Sequence, residues 1–110
     1  MKVQLNILVV DDEPTLRRTL TIRVEADGHA VTAVANAQDA AKQARRQACG
    51  SAIVDLCLRT ASGLDLLKTL QIESPWTAVV LMTTHASVET AVEAMKRGAA
   101  DYLPKPFTPA

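Results

Sequence analysis

The stretch Leu5-Asn6-Ile7-Leu8-Val9-Val10-Asp11-Asp12-Glu13-Pro14 decides the fold. Four apolar residues in a row leave no polar face, which reads as a strand covered on both sides. Three acids then stop the run, and Pro14 suits the first turn of a helix. Leu16, Leu20 and Val24 recur at helical spacing until Asp27-Gly28. The same change of period repeats along the chain. Short apolar runs at 30–34, 51–56, 78–82 and 101–103 read as strands. Between them, Asn36 caps a helix with the small-residue face Ala37, Ala40, Ala41, Ala44 and Ala48. Leu64, Leu67 and Leu70 mark another helix, ended by Ser74-Pro75, and Val88, Ala91, Val92 and Met95 a fourth, ended by Arg97-Gly98. Strict strand–helix alternation predicts a parallel α/β sheet with right-handed crossovers and helices on both faces.

Composition narrows the function. The chain has 110 residues, 12 basic and 12 acidic side chains and no net charge, so one domain over residues 1–110 is expected. Its 48% apolar content suffices for a single core, and only three residues are aromatic, so helices should lie close against the sheet. Phosphate backbones demand a basic excess that is missing here, which excludes direct nucleic-acid contact. No apolar run approaches the roughly 20 residues that span a bilayer, so no membrane partner is expected. Cys49 and Cys57 form no disulfide framework and lack ligand-spaced neighbours, which fits a cytoplasmic setting.

In such sheets, chemistry sits beyond the carboxyl ends of the strands. The first strand ends in Asp11, Asp12 and Glu13, the third in Asp55, the fourth in Thr83 and Thr84, and Lys105 follows the fifth. Taken singly, each has an ordinary explanation. Acids favour a helix start, and a lone lysine or threonine belongs on the surface. Together they are carboxylates beside buried strands, a placement that needs compensation by a cation or donor. Mg2+ suits such a set because it takes oxygen ligands and one or two carboxylates plus a phosphate oxygen. Asp55 could then act as a nucleophile toward phosphorus.

Val9-Val10-Asp11-Asp12-Glu13, Asp55-Leu56 with Gly63 eight residues on, Thr83, and Asp101-Tyr102-Leu103-Pro104-Lys105-Pro106-Phe107 resemble the receiver domain of bacterial two-component response regulators. The ending and residues 91–100 are most similar to NtrC-type sigma-54-dependent transcriptional regulators, including the alginate-regulator branch; FixJ-like regulators end similarly. The resemblance implies a flavodoxin-like (CheY-like) doubly wound sheet of order 2-1-3-4-5. It implies a phosphorylation switch that modifies only itself and is no enzyme toward an external substrate. Asp55 would accept phosphate from a sensor histidine kinase. Asp12, Asp55 and the backbone carbonyl of Cys57 would ligate Mg2+, with Asp11 acting mainly through a bound water; Lys105 would pair with the phosphoryl group, and the Lys105-Pro106 bond would be cis. Thr83 and Tyr102 would form the switch pair that reshapes an output face. The parent protein would carry an AAA+ ATPase and a DNA-binding domain.

Some positions depart from the family pattern. Arg59 stands where proline is usual and Thr84 where alanine or glycine is usual; with His85 these are the expected modulators of access. Gly63 reads as a turn residue and Trp76 as a packing plug or contact residue. After Phe107 only three residues remain, so the fifth helix is expected to be missing, with an exposed sheet face and a tendency to dimerise. Two other classes stay open. A haloacid-dehalogenase-type phosphatase would want an Asp where Cys57 stands. An inert receiver-like module would normally have lost an acid or the lysine.

Overall fold

A computed structural model describes residues 4–58, 62–84 and 87–104. Five strands and four helices alternate: β1 Asn6–Val10, α1 Pro14–Ala26, β2 Ala30–Val34, α2 Ala37–Arg46, β3 Ser51–Asp55, α3 Gly63–Glu73, β4 Ala78–Thr83, α4 Val88–Lys96 and β5 Asp101–Pro104. The elements differ from the sequence expectation by a residue at some ends. All strand pairs are parallel and the order is β2-β1-β3-β4-β5, as the resemblance implied.

One face of the sheet builds the core. Leu8, Val10, Ala52, Val54, Val79 and Leu81 meet Ala40 and Ala44 of α2, Leu66, Leu67 and Leu70 of α3, and Ala94 of α4. Small residues on α2 let that helix approach the strands closely, which is why the chain manages with so few aromatics. Burying each of these leucines stabilises the fold by about 1.5–3 kcal/mol. The opposite face carries α1. There Ile7, Val9 and Met82 are buried, while Ile53 and Val80 are only half-buried. None of the residues of α1 is fully buried, and Ile22 is largely exposed.

Three helices begin on side-chain caps. Asn36 accepts from the Asp39 amide at 2.8 Å, Ser62 from Leu64 at 3.1 Å and Ser87 from Thr90 at 3.1 Å. Such caps satisfy amides that the helix leaves orphaned. The start of α1 has no cap from its N-cap residue, Glu13. At its other end Gly28 takes φ +93°, a conformation that costs glycine little, and turns the chain into β2. Of the two roles expected of Trp76, the packing plug is not the one it takes: it is 60% exposed in the turn before β4, which leaves the contact-residue reading open.

Candidate functional site

The register of the two central strands assembles the site. Val10 of β1 pairs with Val54 of β3, so Asp11 and Asp55 each stand one residue beyond the same rung. Asp55 in turn pairs with Met82, which puts Thr83 one step beyond it on β4. Apolar rungs thus end together, and the first polar residues of three strands emerge side by side. Asp11 and Thr83 are buried, Asp55 is nearly so at 6% exposure, and Asp12 is half-buried. Carboxylate oxygens of Asp11, Asp12 and Asp55 lie within 4.8 Å of one another.

Backbone amides fix two of these carboxylates. Oδ1 of Asp11 accepts from the Glu13 N–H at 2.9 Å, and Oδ1 of Asp55 accepts from the Cys57 N–H at 3.2 Å. Arg17, one turn into α1, donates through Nη1 to the Asp11 carbonyl at 2.8 Å and so ties the helix to the end of β1. Beyond Asp55, Leu56 donates to the Met82 carbonyl at 2.7 Å and accepts from Gly63 at 2.7 Å. Cys57 and Ser62 form an isolated antiparallel bridge.

Gly63 is misread as a turn glycine. It is the first residue of α3, and a Cβ there would stand 2.6 Å from the Asp55 carbonyl oxygen and 2.7 Å from Leu56 Cα. Its lack of a side chain lets the helix start against the strand end that carries Asp55.

The donor set suits a hard divalent cation. Three carboxylates converge, two of them withdrawn from solvent, and their oxygens match the preference of Mg2+ for hard ligands with several waters retained. Burying such charge is costly unless a cation or donors compensate it. Asp11, Asp12 and Asp55 are therefore the residues that could hold the ion. The thiol of Cys57 is exposed; the role expected of that residue belongs to its main-chain carbonyl.

The remaining expected residues divide. Tyr102 lies on β5, half-buried against the core, with its hydroxyl 2.5 Å from Oγ1 of Thr90 on α4. Thr84 is exposed immediately after Thr83. Arg59, His85 and Lys105 lie outside the described residues, as does the Lys105-Pro106 bond. Pro104, the residue before Lys105, pairs with Thr83. Arg17 and Thr90 were not anticipated. Ser87-Val88-Glu89-Thr90 has the four-residue spacing of a capping box and was a usable signal for Thr90, whereas an arginine inside an amphipathic helix gives none.

Comparison with known proteins decides the family. The sequence pattern described as "Response regulator receiver domain" matches residues 7–110. The chain belongs to this family. The receiver is 41% identical over 103 residues to the alginate biosynthesis transcriptional regulatory protein AlgB of Pseudomonas aeruginosa, covering 94% of this chain and 23% of that protein. It is 41% identical over 110 residues to the transcriptional regulatory protein FixJ of Azorhizobium caulinodans, covering 97% of this chain and 51% of the other. The receiver thus spans between about a quarter and a half of those relatives' lengths. Among solved structures, a response regulator from Burkholderia pseudomallei, with a phosphorylated aspartic acid, calcium ion and citrate, superposes with TM-score 0.88 at 38% identity, covering 94% of this chain and 61% of that one. The chemotaxis protein CheY4 of Vibrio cholerae shares the fold at TM-score 0.90 and 24% identity, covering 96% of this chain and 90% of that one. Among the described residues, no helix is long and apolar enough to cross a membrane.

Proposed function

We propose that this receiver is a phosphorylation switch in which Asp55 takes a phosphoryl group from a phosphohistidine of a sensor kinase. An Asp55 carboxylate oxygen forms the new P–O bond as the P–N bond to the imidazole breaks. The electron pair returns to the ring nitrogen, which then takes up a proton. The observation that carries this reading is the convergence of three carboxylates, of which Asp11 and Asp55 are buried one step beyond a shared rung of adjacent central strands. The Cys57 N–H holds one oxygen of the Asp55 carboxylate and so fixes the orientation of the group.

Asp11, Asp12, Asp55 and the Cys57 carbonyl would hold Mg2+. When bound, that ion draws negative charge from the transferring oxygens. Lys105, next in sequence to a residue paired with Thr83, supplies a second positive charge to the phosphoryl group. Thr83 donates its hydroxyl to a phosphoryl oxygen, and Tyr102 follows its movement, which reshapes the surface of α4 and β5. Arg59, four residues after Asp55, and Thr84 and His85, directly after Thr83, set the rates of phosphorylation and hydrolysis.

The parent protein is proposed to be a cytoplasmic transcriptional regulator of the NtrC type, with an AAA+ ATPase and a DNA-binding domain as its output. The phosphorylated relative from Burkholderia pseudomallei and the alginate regulator support this reading. No external substrate is turned over. A phosphatase of the haloacid-dehalogenase kind is disfavoured by Cys57, which stands where that chemistry uses a second aspartate.

Incubation with acetyl phosphate and Mg2+, followed by intact-protein mass spectrometry, tests the reading. One phosphoryl adduct per chain is expected, absent in Asp55→Asn and absent when the metal is chelated. Continuous phosphate release without an adduct would indicate a phosphatase. A labelled Asp55→Asn would overturn the assignment of the acceptor.

A further inference from the structure

We propose that Thr90 is the positioning residue that latches Tyr102, so that the switch ring and the amino-terminal cap of α4 share one oxygen atom. The inference rests on the switch role of Tyr102 proposed above. It starts from a cluster of hydroxyls between two elements. Thr90 is the third residue of α4 and closes a reciprocal capping box with Ser87. The Thr90 N–H donates to Ser87 Oγ at 3.1 Å, and the Ser87 N–H donates back to Thr90 Oγ1 at 3.3 Å. The Thr90 hydroxyl donates to the Ser87 carbonyl at 3.2 Å. Across the gap from β5, the Tyr102 hydroxyl lies 2.5 Å from the same Thr90 oxygen.

Either hydroxyl can donate in that last bond, and a proton count shows what each direction requires. A threonine oxygen has one proton to give and two lone pairs to receive with. Its proton serves the Ser87 carbonyl and one lone pair serves the Ser87 amide. With the Thr90 proton so placed, Tyr102 donates into the second lone pair. The Ser87 hydroxyl waits 2.9 Å from the same oxygen. When the tyrosine leaves, that hydroxyl can turn into the vacated lone pair. Departure deprives Tyr102 of its acceptor while Thr90 and the helix cap remain satisfied. The latch opens without dismantling the start of α4, and the barrier to opening is set by a single hydroxyl hydrogen bond.

Tyr102 is the only tyrosine of the chain, so ring-13C tyrosine reports this site alone in the 110-residue protein. Thr90→Val keeps the shape of the side chain and removes its hydroxyl; Thr90→Ser keeps the hydroxyl. In Thr90→Val without any phosphoryl donor, the ring resonance is expected to move away from its wild-type position, toward that seen after acetyl phosphate and Mg2+ treatment. Labelling by acetyl phosphate should accelerate about fivefold, the weight of one net hydrogen bond. Thr90→Ser should match wild type on both readouts. Tyr102→Phe removes the same bond from the other side without touching the cap. It should accelerate labelling by the same factor, with no further gain in the double variant.

An unmoved resonance and rate in a Thr90→Val protein of normal helix content would overturn the latch, as would a Thr90→Ser variant that behaves like Thr90→Val. Unequal or additive effects of Thr90→Val and Tyr102→Phe would do the same. Whether the resonance moves at all in Thr90→Val is read without a phosphoryl donor, so a failure of the latch and a failure of Asp55 labelling are separate outcomes.

Discussion

Gly63 begins α3 directly against the main chain of Asp55, with the position of an added Cβ only 2.6 Å from the Asp55 carbonyl oxygen. The neighbours at that point are backbone atoms, which cannot turn aside as a long side chain would. Gly63→Ala must therefore push the helix away from β3 or move the acceptor. A loss of about 1–3 kcal/mol in stability is expected from such overpacking. Urea unfolding measures that loss, and the acetyl phosphate labelling rate of the folded variant should fall with it. A variant as stable and as reactive as wild type would mean that the contact relaxes at no cost.

Mg2+ should stabilise the fold through the acidic cluster. Anything that binds only the native state adds stability by mass action, about 2.7 kcal/mol at a concentration one hundred times Kd. Thermal unfolding in rising Mg2+ should show an increasing Tm in the wild type. In Asp12→Asn, which removes one of three converging carboxylates, the same titration should need substantially more metal. Equal titration curves would remove Asp12 from the ligand set.

The two cysteines should separate by reactivity. Cys57 is exposed and Cys49 is buried, and burial pushes the Cys49 thiol above its ordinary value of 9.0. A maleimide should label Cys57 first in the native protein and Cys49 only as the fold opens. The pH dependence follows from the same shift. An unfolded Cys49 ionises near its ordinary value while the folded one stays protonated, so its contribution to stability is intact below pH 9 and declines as pH rises beyond it. Denaturation midpoints of wild type and Cys49→Ala should converge over that alkaline range.

On α3 the two faces should respond oppositely to truncation. Leu67 is fully buried and Ile72 is 72% exposed. Leu67→Ala should cost about 2–5 kcal/mol through lost burial and a residual cavity. Ile72→Ala should stay within about 0.5 kcal/mol. Chemical denaturation of the two variants checks the contrast.

The sheet was legible because its strands are unusually plain. Val9-Val10-Asp11 announces both burial and the place where burial stops, and the same break after Val54 and Met82 points to one edge. Parallel pairing then brings Asp11, Asp55 and Thr83 together almost automatically, since Asp11 and Asp55 each lie one residue past the Val10–Val54 rung and Thr83 one residue past the Asp55–Met82 pair. Contacts between elements were less legible. Gly63 looked like a turn because sequence shows flexibility but not what stands beside a missing side chain. Thr90 and Tyr102 are twelve positions apart, and their meeting depends on how far α4 lies from β5. Trp76 read as a packing plug or a contact residue, and only its 60% exposure in the turn before β4 sets the packing plug aside.

Asp11 has a second duty that its place among the acids conceals. The residue preceding α1 offers no side-chain cap, and it is the Asp11 carboxylate that accepts the Glu13 amide while the Asp11 carbonyl receives Arg17. Entry into the first helix and the charge of the pocket thus hang on one residue. A descendant that abandoned phosphoryl chemistry would still be under selection to keep an acid at position 11 for the sake of its architecture. When silent and active members of such a lineage are compared, that carboxylate is consequently a weak witness to activity, however close it stands to the chemistry.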